Sequence, residues 1–376
     1  MDDEAPSRPI ARVEDAGLVP AGGPARLALS RLPRAAEIAD AVASARGVST
    51  WLEGRLVVTA VPDRLVDAAG RVGGRELADL LGGVVEPAVD AWLGAPPDLE
   101  TPAGTLPTAQ RPVVMGVLNV TPDSFSDGGE HYAPAHPGQA VEAGLALLDA
   151  GADLIDVGGE SSRPGADPVD VDEERARVLP VVERLADQGA IVSVDTTKAQ
   201  VVREAVQAGA AMVNDISAGA LDGLLLATVA ELGVPYVLMH MRGTPRTMQR
   251  DPRYTDVVGE VYDFLAEGLL RLEAAGVDPA RVVVDPGIGF GKTVEHNLQL
   301  LRRLREFTSL GRPVLVGASR KSFLGTVSGE DEPGDRVVES VAAATLAVGA
   351  GARMVRVHDV VESHRAVQVA HAVATA

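Results

Sequence analysis

The 376 residues carry 34 Lys and Arg against 53 Asp and Glu, a formal net charge of −19, with 46% hydrophobic and 23% charged residues. That balance is globular and excludes wholesale disorder, and nucleic acid would need a local basic patch to overcome the field. Cysteine is absent, which excludes a disulfide framework and thiolate-bound zinc or iron–sulfur centres.

The acidic start, Met1-Asp2-Asp3-Glu4, and the lack of a long apolar run predict neither a secretory signal nor a membrane span, and so a cytoplasmic protein. Residues 1–95 contain no Lys, His or Asn. Short helical patterns at 35–45, 75–81 and 87–93 surround a β-like run over 55–61, so residues 1–98 read as a small α+β module without chemistry of its own. Pro96, Pro97, Pro102 and Pro107 then punctuate a linker over 99–110 that holds a short hairpin at 99–106.

From 111 to 376 the pattern becomes regular. Val- and Ile-rich runs at 113–118, 153–157, 190–194, 211–213, 234–239, 281–284, 313–316 and 353–357 alternate with helical stretches. The helices are expected at about 138–150, 171–188, 198–208, 221–232, 256–275, 295–308, 336–349 and 361–374. Strands apolar on both faces belong to parallel sheets covered by helices. Eight strand–helix units predict an α/β fold, a closed (β/α)8 TIM barrel, with an open doubly wound sheet as the alternative.

Almost every strand runs into a polar side chain as it ends: Asn119, Glu160, Asp195, Asn214 with Asp215, His240, Asp285, Ser319-Arg320-Lys321, and Arg356 with His358. In this fold those ends share one rim, so the residues are expected around one mouth. The loop from Asn119 to Gly129 reads as a lid with Phe125 near its middle. Gly158-Gly159 permits close backbone approach, and Ser162 and Arg163 offer donors to an anion. Asp156, inside its strand, suits bracing as well as substrate contact.

Asp195 and Asn214 end successive strands and together suit a ligand with an amidine-like edge. Only three of the basic residues are lysines, at 198, 292 and 321. Lys198 opens a helix and reads equally well as a locally paired charge. The Gly291-Lys292-Thr293 tail resembles a phosphate loop, but the glycine that motif needs five positions earlier is Pro286. It reads better as a glycine-walled pocket edge that holds Asp285 and presents Phe290. Arg320 and Lys321 are two adjacent cations suited to phosphate, and Arg356 and His358 share a face like an anion clamp. Asp359 is placed to cap the helix that follows. No His-rich spacing supports zinc. The sum is a site for a flat nitrogenous ring with a phosphorylated arm, worked by charge placement rather than a covalent intermediate.

These segments resemble the dihydropteroate synthase family: MGVLNVTPDSFSDGG at 115–129, DVGGESSRPGA at 156–166, SVDTTK at 193–198, VNDI at 213–216, LMHMRG at 238–243, DPGIGFGK at 285–292, GASRKSFLG at 317–325 and RVHDV at 356–360. The resemblance implies a pterin-binding TIM barrel that condenses 6-hydroxymethyl-7,8-dihydropterin diphosphate with p-aminobenzoate, with Mg²⁺ required. It implies a pterin pocket of Asp195, Asn214, Asp285 and Lys321 walled by Met239 and Phe290. Asn119 would meet Mg²⁺ and diphosphate, and Arg163, Arg356 and His358 would hold the diphosphate. Ser162, Pro164, Phe290, Gly317, Ser319 and Lys321 would surround p-aminobenzoate. A homodimer through the last barrel helices, and binding of sulfonamide-type inhibitors, are further expectations. Ser162 stands where many relatives have Thr, and Ile288 where Phe is frequent; both keep the chemical character. The alternatives are a pterin-binding methyltransferase domain of the corrinoid pathways, which has no diphosphate to hold, and an inactive homologue.

Overall fold

The computed structural model describes residues 10–14, 25–30, 48–52, 55–60, 85–121, 137–163 and 165–376. The chain divides into two compact units, Met1–Pro96 with Arg303–Arg312, and Pro97–Arg302 with Pro313–Ala376.

In the first unit β1 (Ile10–Glu14), β2 (Ala25–Ser30), β3 (Val48–Leu52) and β4 (Arg55–Ala60) form an antiparallel sheet in the order β1-β2-β4-β3. Only β4 was expected as a strand. The others are short and interrupted by Ala, Ser and Arg, residues whose own preference for strands is weak. A helix covers 85–93, while the helical patterns at 35–45 and 75–81 lie outside the described residues. The expected helix over 295–308 is instead a helix, Val294–Arg302, followed by a 3-10 helix, Leu304–Leu310. The break follows from membership of different units, because the 3-10 segment buries Leu304 and Phe307 in the first. There Arg12 faces Glu306 across 3.5 Å with both side chains buried, Ser309 Oγ accepts from the Val13 N–H at 3.4 Å, and Arg305 lies over the Trp92 ring at 4.6 Å.

The second unit is an eight-stranded parallel barrel. Its strands are β7 (Val113–Asn119), β8 (Leu154–Gly158), β9 (Val192–Asp195), β10 (Met212–Asp215), β11 (Tyr236–Met239), β12 (Val282–Asp285), β13 (Leu315–Val316) and β14 (Met354–Val357). Their order is β12-β11-β10-β9-β8-β7-β14-β13, and a parallel bridge between Val284 and Val314 closes the ring. A helix follows each strand, and a short additional one, Ser322–Ser328, precedes Val337–Gly349.

The interior explains where chemistry can occur. Met115, Leu154, Met212, Val237, Val283, Leu315 and Met354 meet in one buried cluster. The hairpin β5 (Leu99–Thr101) and β6 (Gly104–Leu106) adds Leu99 and Leu106 to it, so the floor of the barrel is apolar and filled. Side chains alternate along a strand with period two. Two or four positions beyond each core residue, on the same inward face, stand Asn119, Asp156, Asn214, Met239, Asp285, Ser319 and Arg356. The polar face of the barrel is therefore its carboxyl-end rim. Among the described residues no helix is long and apolar enough to cross a membrane.

Candidate active site

Strand register sets Asn119, Gly158, Asp195 and Asn214 side by side on β7, β8, β9 and β10. Met239 pairs with Asp285 on the next two strands. Gly158 supplies the gap in this row: a Cβ there would lie 3.4 Å from Asp195 Cβ.

Arg356 joins the row from β14. Its Nε donates to Asp156 Oδ2 at 2.6 Å and its Nη2 to Asp195 Oδ2 at 2.7 Å. Asn214 Nδ2 donates to the same Asp156 oxygen at 2.8 Å. Asp156 is wholly buried and thus orients two other site residues, the bracing half of what its position in the strand permits. Burial lifts the Asp195 carboxyl to about 7; Arg356 opposes the rise, while the charges of Asp156, Glu174 and Asp215 add to it.

Across the mouth, Asp285 Oδ1 accepts from the Gly287 N–H at 2.7 Å. Its pKa is raised by burial, against the pull of Lys321. Lys321 donates to the Ile288 carbonyl, and its Nζ sits 4.4 Å from the centre of the Phe290 ring. Burial lowers the Lys321 ammonium to about 8, with Asp285 opposing and Arg356 assisting. Gly287 has a φ of +68°, and a Cβ there would fall 1.9 Å from the His240 carbonyl oxygen, so only glycine lets this loop press on the end of β11.

Lys292, given no clear place by the sequence, is buried inside that loop. Its Nζ contacts His240 Nδ1 at 2.9 Å and donates to the carbonyls of Gly287 at 2.8 Å and Phe290 at 3.0 Å. Burial pushes both Lys292 and His240 well below their ordinary pKa values. His240 accordingly acts in the knot that shapes the pocket edge.

Ser319 Oγ accepts the His358 backbone N–H at 3.1 Å and lies 3.0 Å from His358 Nδ1. Burial, followed by the charges of Arg356 and Arg320, lowers His358 to about 4, so its ring is neutral near pH 7. Arg320 does not stand beside Lys321 as a second phosphate-facing cation. It adopts a φ of +59° and pairs with Asp359, 3.1 Å from Nε to Oδ2. Asp359 is therefore a partner for a guanidinium, and its side chain makes no cap to the helix Val360–Ala374.

Ser162 is half-buried and Arg163 exposed on the loop after β8. Pro164 and the lid from 122 through Gly128-Gly129 lie outside the described residues. Asp215 proved to be a brace. Its carboxylate accepts from the N–H groups of Ser217 and Gly219 at 2.7 and 2.6 Å and from the Tyr236 hydroxyl at 2.6 Å.

A carboxylate–amide–guanidinium row with a neutral imidazole beside its guanidinium and an ammonium facing Asp285 is the outline expected for a pterin and a diphosphate. The model of the pterin-binding enzyme family matches residues 115–358. Dihydropteroate synthase of Escherichia coli (strain K12) is 47% identical over 274 residues, covering 73% of this chain and 95% of that one. The chain belongs to the dihydropteroate synthase family. It is an enzyme of that activity, joining the pterin diphosphate to p-aminobenzoate with loss of diphosphate. Among solved structures, the Xanthomonas albilineans synthase with 4-aminobenzoic acid is 48% identical, with a TM-score of 0.69 and coverage of 75% of this chain and 99% of that one. The Yersinia pestis synthase in complex with a sulfonamide drug is 45% identical, with a TM-score of 0.70 and coverage of 74% and 100%.

Proposed function

We propose that the two sides of the rim divide the labour of dihydropteroate synthesis. Asp195, Asn214 and Asp285 accept and donate hydrogen bonds to the pterin ring, enclosed by Met239, Phe290 and Lys321. Arg163, Arg356 and His358 hold the diphosphate as it leaves. Ser162, Pro164, Gly317, Ser319, Phe290 and Lys321 form the seat of p-aminobenzoate. The observation that carries this reading is the Arg356 guanidinium, which already spans Asp156 and Asp195 beside His358 and so links the ring pocket to the anion side.

The reaction then needs charge placement more than a base. Departure of diphosphate leaves a resonance-stabilised pterin methyl cation, which the arylamine nitrogen attacks, losing one proton. Fixed cations aimed at the leaving group lower that barrier, and an enclosed rim keeps water from the cation. The neutral His358 donates its ring N–H to a phosphate oxygen.

The donor set fits Mg²⁺ as an ion held chiefly by substrate. Mg²⁺ keeps several waters and takes few protein oxygens beside phosphate. Asn119 offers one amide oxygen in the row, and no group of three or more His, Asp or Glu among the described residues is placed to hold a metal. Asn119 would hold the ion, which when bound screens the charge growing on the diphosphate.

The same reading makes the protein a cytoplasmic homodimer open to sulfonamide-type mimics of p-aminobenzoate. The dimer is supported by Val338 and Leu346 on one helix and Val369 and Val373 on the next, each more than 60% exposed. The inhibitor site is supported by the drug complex of the Yersinia pestis relative. The direct test is coupled measurement of diphosphate and dihydropteroate from both substrates with and without Mg²⁺. Equal, Mg²⁺-dependent release of the two products is expected; diphosphate release that persists under chelation would overturn the metal assignment.

A further inference from the structure

Outside the rim, three charged side chains converge where the loop bearing Ser162 and Arg163 leaves β8. Lys198 Nζ donates to Glu160 Oε2 and to Glu174 Oε2. Glu174 is completely buried in the helix Val171–Asp187, Lys198 is 19% exposed, and Glu160 is 27% exposed on the loop. Nothing in the division of roles above uses these groups. A buried carboxylate persists only if paired, and Lys198 pairs with Glu174, so the ammonium belongs to the fold whether or not Glu160 is present. The second arm, to Glu160, is therefore the informative one.

The loop is tied at a neighbouring point as well. Arg177 Nη1, from the same helix, donates to the Gly159 carbonyl at 2.7 Å. A Cβ at Gly159 would meet Val178 Cγ1 at 2.8 Å, so the backbone there is pressed on the helix. Lys198 itself stands three positions after Asp195, at the N-terminal boundary of the helix Ala199–Gln207. One compact ammonium thus connects the Asp195 strand end, the buried helix carboxylate and the base of the Ser162–Arg163 loop. An ammonium suits this task because its three protons point in separate directions and can reach two carboxylates at once.

We propose that Lys198 is a positioning residue that, through Glu160, sets the height and angle of the Ser162–Arg163 loop and thereby the affinity for p-aminobenzoate. The inference rests on the reading that this loop forms part of the p-aminobenzoate seat. A seat shifted by about 1 Å loses productive geometry, so the amine substrate feels the change more than the ring pocket, whose Asp195 stays held by Arg356.

Two variants test it. Glu160→Ala removes the loop arm and leaves the Lys198–Glu174 pair whole, so the protein folds. The double variant Lys198→Met with Glu174→Gln removes the ammonium and the buried charge together. In each, the KM for p-aminobenzoate is measured in the synthase assay, and binding of a 6-hydroxymethylpterin without diphosphate is measured by calorimetry. The expected result is a KM raised about tenfold in both, with pterin binding in Glu160→Ala within about twofold of the unaltered protein. An unchanged KM in Glu160→Ala, or KM and pterin affinity moving in step in that variant, would overturn the proposal. Absence of turnover in the unaltered protein would instead overturn the reading of the rim, which separates the two failures.

Discussion

Arg356 and Asp156, 200 positions apart in sequence, are joined by a 2.6 Å ion pair inside the barrel rim. The wholly buried Asp156 carboxylate takes a second hydrogen bond from Asn214, so one oxygen fixes a guanidinium and an amide of the rim together. Removing Arg356 leaves the buried Asp156 carboxylate without its cation, typically a loss of about 3–5 kcal/mol. Arg356→Ala is therefore expected to lower the urea midpoint as well as turnover. Arg356→Lys keeps the charge but cannot bridge Asp156 and Asp195 in the same plane. It should fold and lose at least about tenfold in kcat/KM, checked by steady-state assay beside a denaturation curve.

Lys321 gives an alkaline limit. Its ammonium, buried beside Phe290, loses its proton at about 8 in the free protein. The kcat/KM for the pterin substrate should fall as pH rises through that value. In Lys321→Arg the guanidinium does not titrate there. That variant should work more slowly yet lack the limb, and a limb persisting at the same pH would assign it elsewhere.

His358 contributes in the opposite direction on the acid side. An unfolded histidine takes a proton near 6.5, but folded His358 resists until about 4. Between those values the unfolded chain binds the extra proton, so stability from this site is full above about 6.5 and is lost as pH falls toward 4. His358→Gln should show a shallower decline in urea midpoint across that window. An identical slope would remove His358 from the account.

Gly287→Ala tests the backbone fit of the pocket edge. The added methyl would fall on the His240 carbonyl at a φ unsuited to alanine. The variant should lose more than about 2 kcal/mol and bind pterin poorly, measured by denaturation and calorimetry.

The barrel and its rim were legible because two periodicities coincide in the sequence. Several strands place an apolar residue such as Met212 or Val283 on the inward face, and the position two further on, Asn214 or Asp285, is polar. Eight repetitions make closure the natural packing. What sequence could not separate was which polar residue faces a ligand and which faces another polar residue. Asp156 and Asp195 occupy neighbouring strands, yet one is fully enclosed between Asn214 and Arg356 while the other lines the row. Asp359 looked like a helix cap because it precedes an apolar run, and only the fold brings Arg320 within its reach. Lys292 was obscure for the same reason, since its acceptors are carbonyls and carry no side-chain signal. The break after Arg302 depends on burial in the first unit, which local periodicity does not encode.

Asp285→Ala is the decisive variant, because the proposed pterin contact at Asp285 is held by the Gly287 N–H and not by a hydrogen bond to Arg356. Dihydropteroate formation by that variant, followed beside its melting temperature, should fall by about 2–4 kcal/mol in transition-state stabilisation while the fold persists. Turnover equal to that of the unaltered protein would contradict the assignment of this rim to the pterin and its chemistry.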